Sequence, residues 1–195
     1  MKKIGFDLDN TIINYAATVR KYCVIKGIPV QNSIDSLRHI LKKSENDQGF
    51  WIEAQSWIYG PGIESAQLAN NFVKLCQKLK EMDYEIKVFS HKTEFGPKEF
   101  GSQPFRNFAN TWLQNSDAHQ YLSPKQNVSY FNSLNEKVAA INKYSPNYYI
   151  DDLLKVFAHP DYNRTIKSFI YGRHHKEFDW LFSINDFDQL KSFIR

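Results

Sequence analysis

The chain has 195 residues, of which 42% are hydrophobic and 24% charged, and these proportions are ordinary for a globular domain. Its formal net charge is +4 and its lysines and arginines are scattered, so we expect a solvated surface that binds no nucleic-acid polymer. Aromatic residues make up 15% of the chain and predict a core or a pocket rich in rings.

The two cysteines, Cys23 and Cys76, are far apart and form neither a disulfide framework nor a zinc-binding pattern. Acids interrupt the apolar stretch near the start at once, so it does not read as a signal peptide. No stretch reaches the roughly 20 apolar residues that a membrane span needs. We therefore expect a cytoplasmic protein with free, buried thiols and no membrane partner.

The first elements in chain order are a strand and three helices with no strand between them. The strand is predicted at residues 3–7, and the first helix ends at Gly27, a common helix stop. The helices are predicted at residues 15–26, 33–43 and 46–59. Helices without intervening strands are typical of a small helical insert.

Gly60-Pro61-Gly62 ends this helical stretch with a turn. We predict that residues 14–59 form the insert and that residues 1–13 and 60–195 form the core domain.

In the remaining chain, helices and strands alternate. Helices are predicted at residues 64–82, 105–113, 136–144 and 187–194. Strands are predicted at residues 85–90, 127–131, 147–152 and 167–172. This order predicts an α/β fold with a mainly parallel sheet that is covered by helices on both faces.

Polar side chains follow three of these strands. Asp7, Ser90 and Asp151 each stand where a predicted strand ends. All strands of a parallel sheet point the same way, and open α/β sheets bind ligands at the carboxyl edge. The sequence therefore predicts that these three side chains meet at one edge.

Asp7 and Asp9 are separated by one residue, with Thr11 two residues further on. Two ionised carboxylates at short distance repel each other, and either a shared proton or a hard cation relieves the repulsion. Mg²⁺ prefers oxygen ligands and leaves room for a substrate phosphate. With such an ion bound, Asp7 can attack phosphorus as a nucleophile, while Asp9 can serve as the acid and base. The simpler alternative is an Asp-x-Asp that only caps a turn or helix.

Taken together, these motifs resemble the four motifs of the haloacid dehalogenase superfamily, abbreviated HAD. The insert between the first two motifs is similar to what that family calls a C1 cap. The motif residues are Asp7-x-Asp9-x-Thr11, Ser90 after an apolar strand, a lysine on a later helix, and Asp151-Asp152 after another apolar strand.

The resemblance implies a Rossmann-like fold and a magnesium-dependent phosphatase. Asp7 would be the nucleophile and a metal ligand, and Asp9 would be the general acid and base with its carbonyl on the metal. Ser90 would bind the transferring phosphoryl group. Asp151, and with it Asp152, would complete the metal site directly or through water.

Three lysines upstream of the fourth predicted strand can fill the third motif, namely Lys125, Lys137 and Lys143. We prefer Lys137, because it stands near the start of a helix and so close to the active edge. It would neutralise charge on the phosphate and the nucleophile.

Further candidates have weaker signals. Thr11 fits a loop-supporting role, and His91 either lines the pocket or forms a surface hydrogen bond. A loop with His91, Lys92 and Lys98 could meet an anionic substrate, and the aromatic residues of the insert could stack on a base or sugar.

The function that the sequence favours is hydrolysis of a small phosphorylated metabolite, such as a nucleotide or a sugar phosphate. Phosphotransfer to an acceptor other than water is one alternative, and a non-catalytic binding module on the same fold is another. The oligomeric state stays open.

Overall fold

A computed structural model describes residues 2–41 and 47–194. Within these residues, eight strands follow in chain order: β1 Lys2–Phe6, β2 Ile13–Asn14, β3 Gln67–Leu68, β4 Tyr84–Ser90, β5 Val128–Tyr130, β6 Tyr148–Asp151, β7 Lys167–Tyr171 and β8 Leu181–Ile184. The α-helices are α1 Ala16–Lys26, α2 Ile34–Leu41, α3 Asp47–Tyr59, α4 Phe72–Glu81, α5 Phe105–Gln114, α6 Pro124–Asn127, α7 Leu134–Tyr144 and α8 Leu154–Phe157. Four 3₁₀ helices cover Pro61–Ser65, Lys98–Phe100, Asp117–Gln120 and Phe187–Ser192.

Six strands form one sheet in the order β5-β4-β1-β6-β7-β8, and every neighbouring pair is parallel. β1 lies in the middle, between β4 and β6. The predicted parallel α/β sheet is confirmed. The carboxyl ends of β1, β4 and β6 consequently lie side by side.

The two faces of this sheet pack against different helices. On one face, Phe6 contacts Phe72 of α4 with ring centroids 5.4 Å apart and Phe187 at 5.8 Å. On the other face, Phe89 and Tyr149 belong to a buried cluster with residues of α7 and α8. Helices therefore cover both faces, as the alternation of strands and helices predicts.

The chain divides into two compact units. One comprises residues 1–13, 68–92 and 113–195 and contains the six-stranded sheet. The other comprises residues 14–67 and 93–112 and is helical. This helical unit takes in more chain than the predicted insert, so the division into a 14–59 insert and a core of 1–13 and 60–195 stays a prediction.

Aromatic rings hold the helical unit together. Tyr22 of α1 packs against Trp57 of α3 at 5.6 Å, and Tyr59 lies between Tyr15 at 5.3 Å and Phe105 at 6.0 Å. Trp57 and Tyr59 therefore serve as internal packing residues of this unit.

Several predicted elements need correction. The long helix predicted at 64–82 is wrong in its first part, where a 3₁₀ helix and β3 precede α4. Ala66 is extended, and Asn71 adopts a left-handed φ of 61°, which a continuous helix does not allow. The amide of Ala69 donates to the carbonyl of Ile12, so a tertiary contact replaces the local helical bond.

The end of the chain also differs from the prediction, because β8 was not predicted and the closing segment is a 3₁₀ helix. Residues 42, 43 and 46, which the predicted insert helices include, lie outside the described residues. Cys23 and Cys76 are free and buried, as predicted. Within residues 2–41 and 47–194, no helix has the length and apolar character to cross a membrane.

We expect the cap of α7 to contribute measurably to stability, because this helix carries Lys137. The Ser133 hydroxyl accepts from the amide of Glu136 at 3.2 Å and so satisfies a free helix donor. Ser133→Ala should lower the free energy of unfolding by about 1 kcal/mol in urea denaturation.

Ser123→Ala is the matched control, because Ser123 precedes α6 without a side-chain cap bond. The free energy of unfolding of Ser123→Ala should be lower than that of the wild type by less than about 0.5 kcal/mol. Equal losses in the two variants would contradict this account of the cap.

Candidate active site

The candidate site lies at the carboxyl edge of the sheet, where β1 and β6 end next to each other. The amide of Asp7 donates to the carbonyl of Ile150 at 2.8 Å, which continues the hydrogen bonding between β1 and β6 one residue beyond the end of β1. Oxygen atoms of Asp7, Asp151 and Asp152 all lie within 4.8 Å of one another, and all three residues are buried. The predicted convergence of Asp7 and Asp151 is therefore observed.

A tight turn follows Asp7 and carries Asp9. Asn10 has a left-handed φ of 58°, which asparagine tolerates better than most residues. The amides of Ile12 and Ile13 both donate to the carbonyl of Leu8, so the turn is closed by its own backbone. The side chain of Asp9 lies 3.0 Å from the ammonium group of Lys92.

Lys137 joins the first and last motifs of the site. Its Nζ lies 2.5 Å from Asp7 Oδ1 and 2.7 Å from Asp151 Oδ2, and its side chain is fully buried. Lysines are almost never fully buried without a partner of opposite charge. Lys125 and Lys143 are exposed, so the structure brings Lys137 and neither alternative to the acids.

Asp151 is held on both oxygens. Oδ2 accepts from the hydroxyl of Tyr149 at 2.8 Å as well as from Lys137, and Oδ1 accepts from the amide of Leu153 at 2.9 Å. Gly5 makes room for the Tyr149 ring, since a Cβ there would stand 2.8 Å from it. The sequence did not reveal this support, because a tyrosine within an apolar strand reads only as core.

Burial and nearby negative charge raise the pKa values of two acids of the site, Asp7 and Asp152. Burial raises the pKa of Asp7 from 3.8 to about 7, with repulsion from Asp151 and Asp9 adding to it and Lys137 opposing it. Burial, followed by repulsion from Asp7 and Asp151, raises the pKa of Asp152 well above its ordinary value.

The pKa of Lys137 shifts in the direction that keeps its side chain charged. Burial alone would lower the pKa of Lys137, but the attraction of Asp151 and Asp7 outweighs it, and the pKa rises. Lys137 is therefore a permanent cation within this cluster.

Two buried hydroxyls at the site have no hydrogen-bond partner among the residues that the structure describes. Ser90 is 1% exposed at the end of β4, and Thr11 is fully buried in the turn after Asp9. A buried hydroxyl without a partner is costly, so such a group is often one that a ligand satisfies. For Ser90 this agrees with a role in binding phosphate.

The three candidates of the loop after β4, namely His91, Lys92 and Lys98, differ in their surroundings. His91 contacts the carbonyl of Asn132 through Nε2 at 3.2 Å, so Nε2 carries the proton and the ring supports a loop. Lys92 is buried and Lys98 is exposed. The pairing of Lys92 with Asp9 was missed, since sequence alone does not distinguish a buried loop lysine from a solvated one.

The donor set fits a hard divalent cation. Carboxylate oxygens are the ligands that such ions prefer. With all four acids of the site ionised, the two buried lysines would leave two negative charges uncompensated. The exposed Arg173 offsets the charge of Asp152 only in part. A bound cation would lower the raised pKa values of the acids.

Comparison with known proteins supports the fold. A hydrolase of the haloacid dehalogenase-like family from Streptococcus pneumoniae is 15% identical, with 100% of this chain and 99% of that chain aligned and a TM-score of 0.62. The HAD-like fold is therefore the fold of this chain.

Two further structures share the HAD-like fold. A putative phosphatase from Clostridium difficile is 13% identical with a TM-score of 0.61, covering 98% and 97% of the two chains. Protein Tyrosine Kinase A from Mycobacterium tuberculosis is 13% identical with a TM-score of 0.63 over the same shares. No protein-family model and no curated protein matches the sequence. The C1 cap type stays a prediction.

The raised pKa of Asp7 predicts a pH-dependent stability of the metal-free protein. Between about pH 4 and about pH 7, the unfolded chain has lost this proton and the folded protein still holds it. The free energy of unfolding should therefore fall as the pH rises, by up to about 1.4 kcal/mol per pH unit from this group. Urea denaturation in metal-free buffer across this range measures the slope.

Asp7→Asn removes the titrating group, so its free energy of unfolding should fall less over the same window. Below about pH 4 the carboxyl group is protonated in both states and contributes no slope. Identical slopes for the two proteins would contradict the raised pKa.

Proposed function

We propose that this protein hydrolyses a small phosphomonoester with the aid of Mg²⁺, through an aspartyl-phosphate on Asp7. The observation that carries the proposal is the buried cluster of Asp7, Asp151 and Asp152 with Lys137 between two of its members. Mg²⁺ commonly takes one or two protein carboxylates and leaves positions for a substrate phosphate. A location in the cytoplasm stays a prediction from the sequence.

Contacts within the cluster favour a division of labour between the two neighbouring acids. Both oxygens of Asp151 already accept from Lys137, Tyr149 and Leu153. We therefore infer that Asp7, Asp152 and the carbonyl of Asp9 would bind the ion directly. Asp151 would act on the ion through water, and it holds Lys137. When bound, the ion supplies positive charge to the phosphate oxygens and to Asp7.

The chain's own residues then perform two displacements. The Asp7 carboxylate attacks phosphorus, the bond to the leaving oxygen breaks, and protonated Asp9 gives that oxygen its proton. Asp9 then takes a proton from water, which attacks phosphorus and releases phosphate and free Asp7. Lys137 neutralises charge beside Asp7, and the unpartnered hydroxyl of Ser90 donates to the phosphoryl group.

The class of substrate remains a small phosphorylated metabolite, with nucleotides and sugar phosphates as the first candidates. Phosphotransfer to another acceptor is the second candidate function, because a protein named as a tyrosine kinase shares the fold. A purely binding module is less favoured, because it would need no general acid such as Asp9. Comparing phosphate released with phosphate transferred to added alcohols separates hydrolysis from transfer.

We expect turnover of p-nitrophenyl phosphate that requires Mg²⁺ and is abolished by EDTA. Asp7→Asn should remove turnover, because an amide neither attacks phosphorus nor binds the cation as a carboxylate does. Asp179→Asn, a change of an exposed acid, is the control and should keep full activity. A fully active Asp7→Asn protein would overturn the assignment of Asp7 as the nucleophile.

Asp9→Asn should lower turnover by about 10²–10⁴-fold, the usual contribution of general acid–base catalysis. With a good leaving group, Asp7 can still be phosphorylated, but the water that should release it lacks a base. Mass spectrometry of the intact protein should therefore detect one added phosphoryl group on Asp9→Asn. An unchanged rate would reject the acid–base assignment.

A further inference from the structure

Lys92 is a second buried lysine of the site, distinct from the one in the four motifs. Its side chain is 3% exposed, and its Nζ lies 3.0 Å from Oδ2 of Asp9. Burying an ammonium group is costly unless it is paired. Asp9 forms an ion pair with Lys92, so the role of Lys92 is to be sought there.

The two lysines contact different acids. Lys137 binds Asp7 and Asp151, whereas Lys92 binds Asp9. Lys92 stands two residues beyond Ser90, which is the last residue of β4. Its backbone is thus placed by the end of a strand that is hydrogen-bonded to neighbours on both sides. An ion pair from such a position restrains the Asp9 side chain.

We propose that Lys92 is a positioning residue that holds the carboxyl group of Asp9 in the orientation for proton transfer to the leaving oxygen, an inference that rests on the proposed phosphatase function. The Asp9 side chain is 19% exposed and lies in a turn, directly before the left-handed Asn10, so packing alone restrains it less than its buried neighbours. Small displacements of a catalytic group can cost about 10²-fold in rate.

This role has a signature that a purely structural lysine lacks. When the bond between phosphorus and the leaving oxygen breaks, an alkoxide needs the Asp9 proton, whereas nitrophenolate leaves readily without it. A misplaced Asp9 should therefore slow formation of the aspartyl-phosphate from alkyl phosphates much more than from aryl phosphates. Hydrolysis of the aspartyl-phosphate is common to both substrates, so the difference appears in kcat/KM, which reports the first displacement. Loss of positive charge near the phosphate, or partial unfolding, would slow both substrates alike.

The test compares kcat/KM for p-nitrophenyl phosphate and phenethyl phosphate in Lys92→Met and the wild-type protein. We expect Lys92→Met to lower kcat/KM for the alkyl ester at least about tenfold more than for the aryl ester. Lys74→Met, a change of an exposed lysine in α4, is the control and should alter neither value. Equal losses for the two esters, or no loss, would overturn the inference.

A double-mutant cycle sharpens the result. In an Asp9→Asn background, Lys92→Met should cause no further selective loss, because its effect passes through Asp9. The same selective loss in both backgrounds would overturn the inference. Lys92→Arg keeps the charge but moves it, so its alkyl-to-aryl ratio should fall between those of the wild type and Lys92→Met.

These measurements distinguish failure of the proposed function from failure of the proposed role of Lys92. If Lys92→Met does not fold, the Lys92→Arg ratio decides, and a ratio equal to the wild type would overturn the inference. If the wild-type protein turns over neither ester with Mg²⁺, the proposed function fails first. If the wild type is active and the ratios do not differ, only the role of Lys92 fails.

Discussion

The ion pairs of Lys137 are the interaction on which this structure most depends. Its ammonium group binds Asp7 and Asp151, and 130 residues of sequence separate it from Asp7. These are fully or nearly fully buried charges, and removing one partner of such a pair commonly costs about 3–5 kcal/mol. The pair is thus a link between β1, β6 and α7 as well as a part of the candidate site.

The same cluster combines structural and chemical demands. Burial and repulsion from neighbouring carboxylates raise the proton affinity of Asp7 and Asp152, and one buried lysine does not neutralise the cluster. A fold that is built only for stability would avoid such crowding, since packed apolar residues are often as stable as buried ion pairs. Strongly shifted carboxyl groups in one place are therefore typical of functional sites.

The sheet explains how distant residues reach one place. β1 is central, and both of its neighbours run parallel to it, so the residues after Phe6, at Ser90 and at Asp151 share one edge. The turn after Asp7 and the capped start of α7 then bring Asp9 and Lys137 to that edge. The turn and the helix start are local features of the chain, whereas the order of the strands rests on pairing between distant segments.

Much of this was determined by the sequence alone. Apolar runs that end in Asp7, Ser90 and Asp151 indicate parallel strands and their common edge, because hydrophobic pattern and strand direction are local properties. Only the tertiary structure decided which lysines are buried and that Asp151 is bound by Tyr149 and Lys137. It also decided that residues 64–71 are not part of an α-helix. Those outcomes depend on contacts between segments far apart in the chain, and no local pattern encodes the partner that a buried charge or a backbone amide finds.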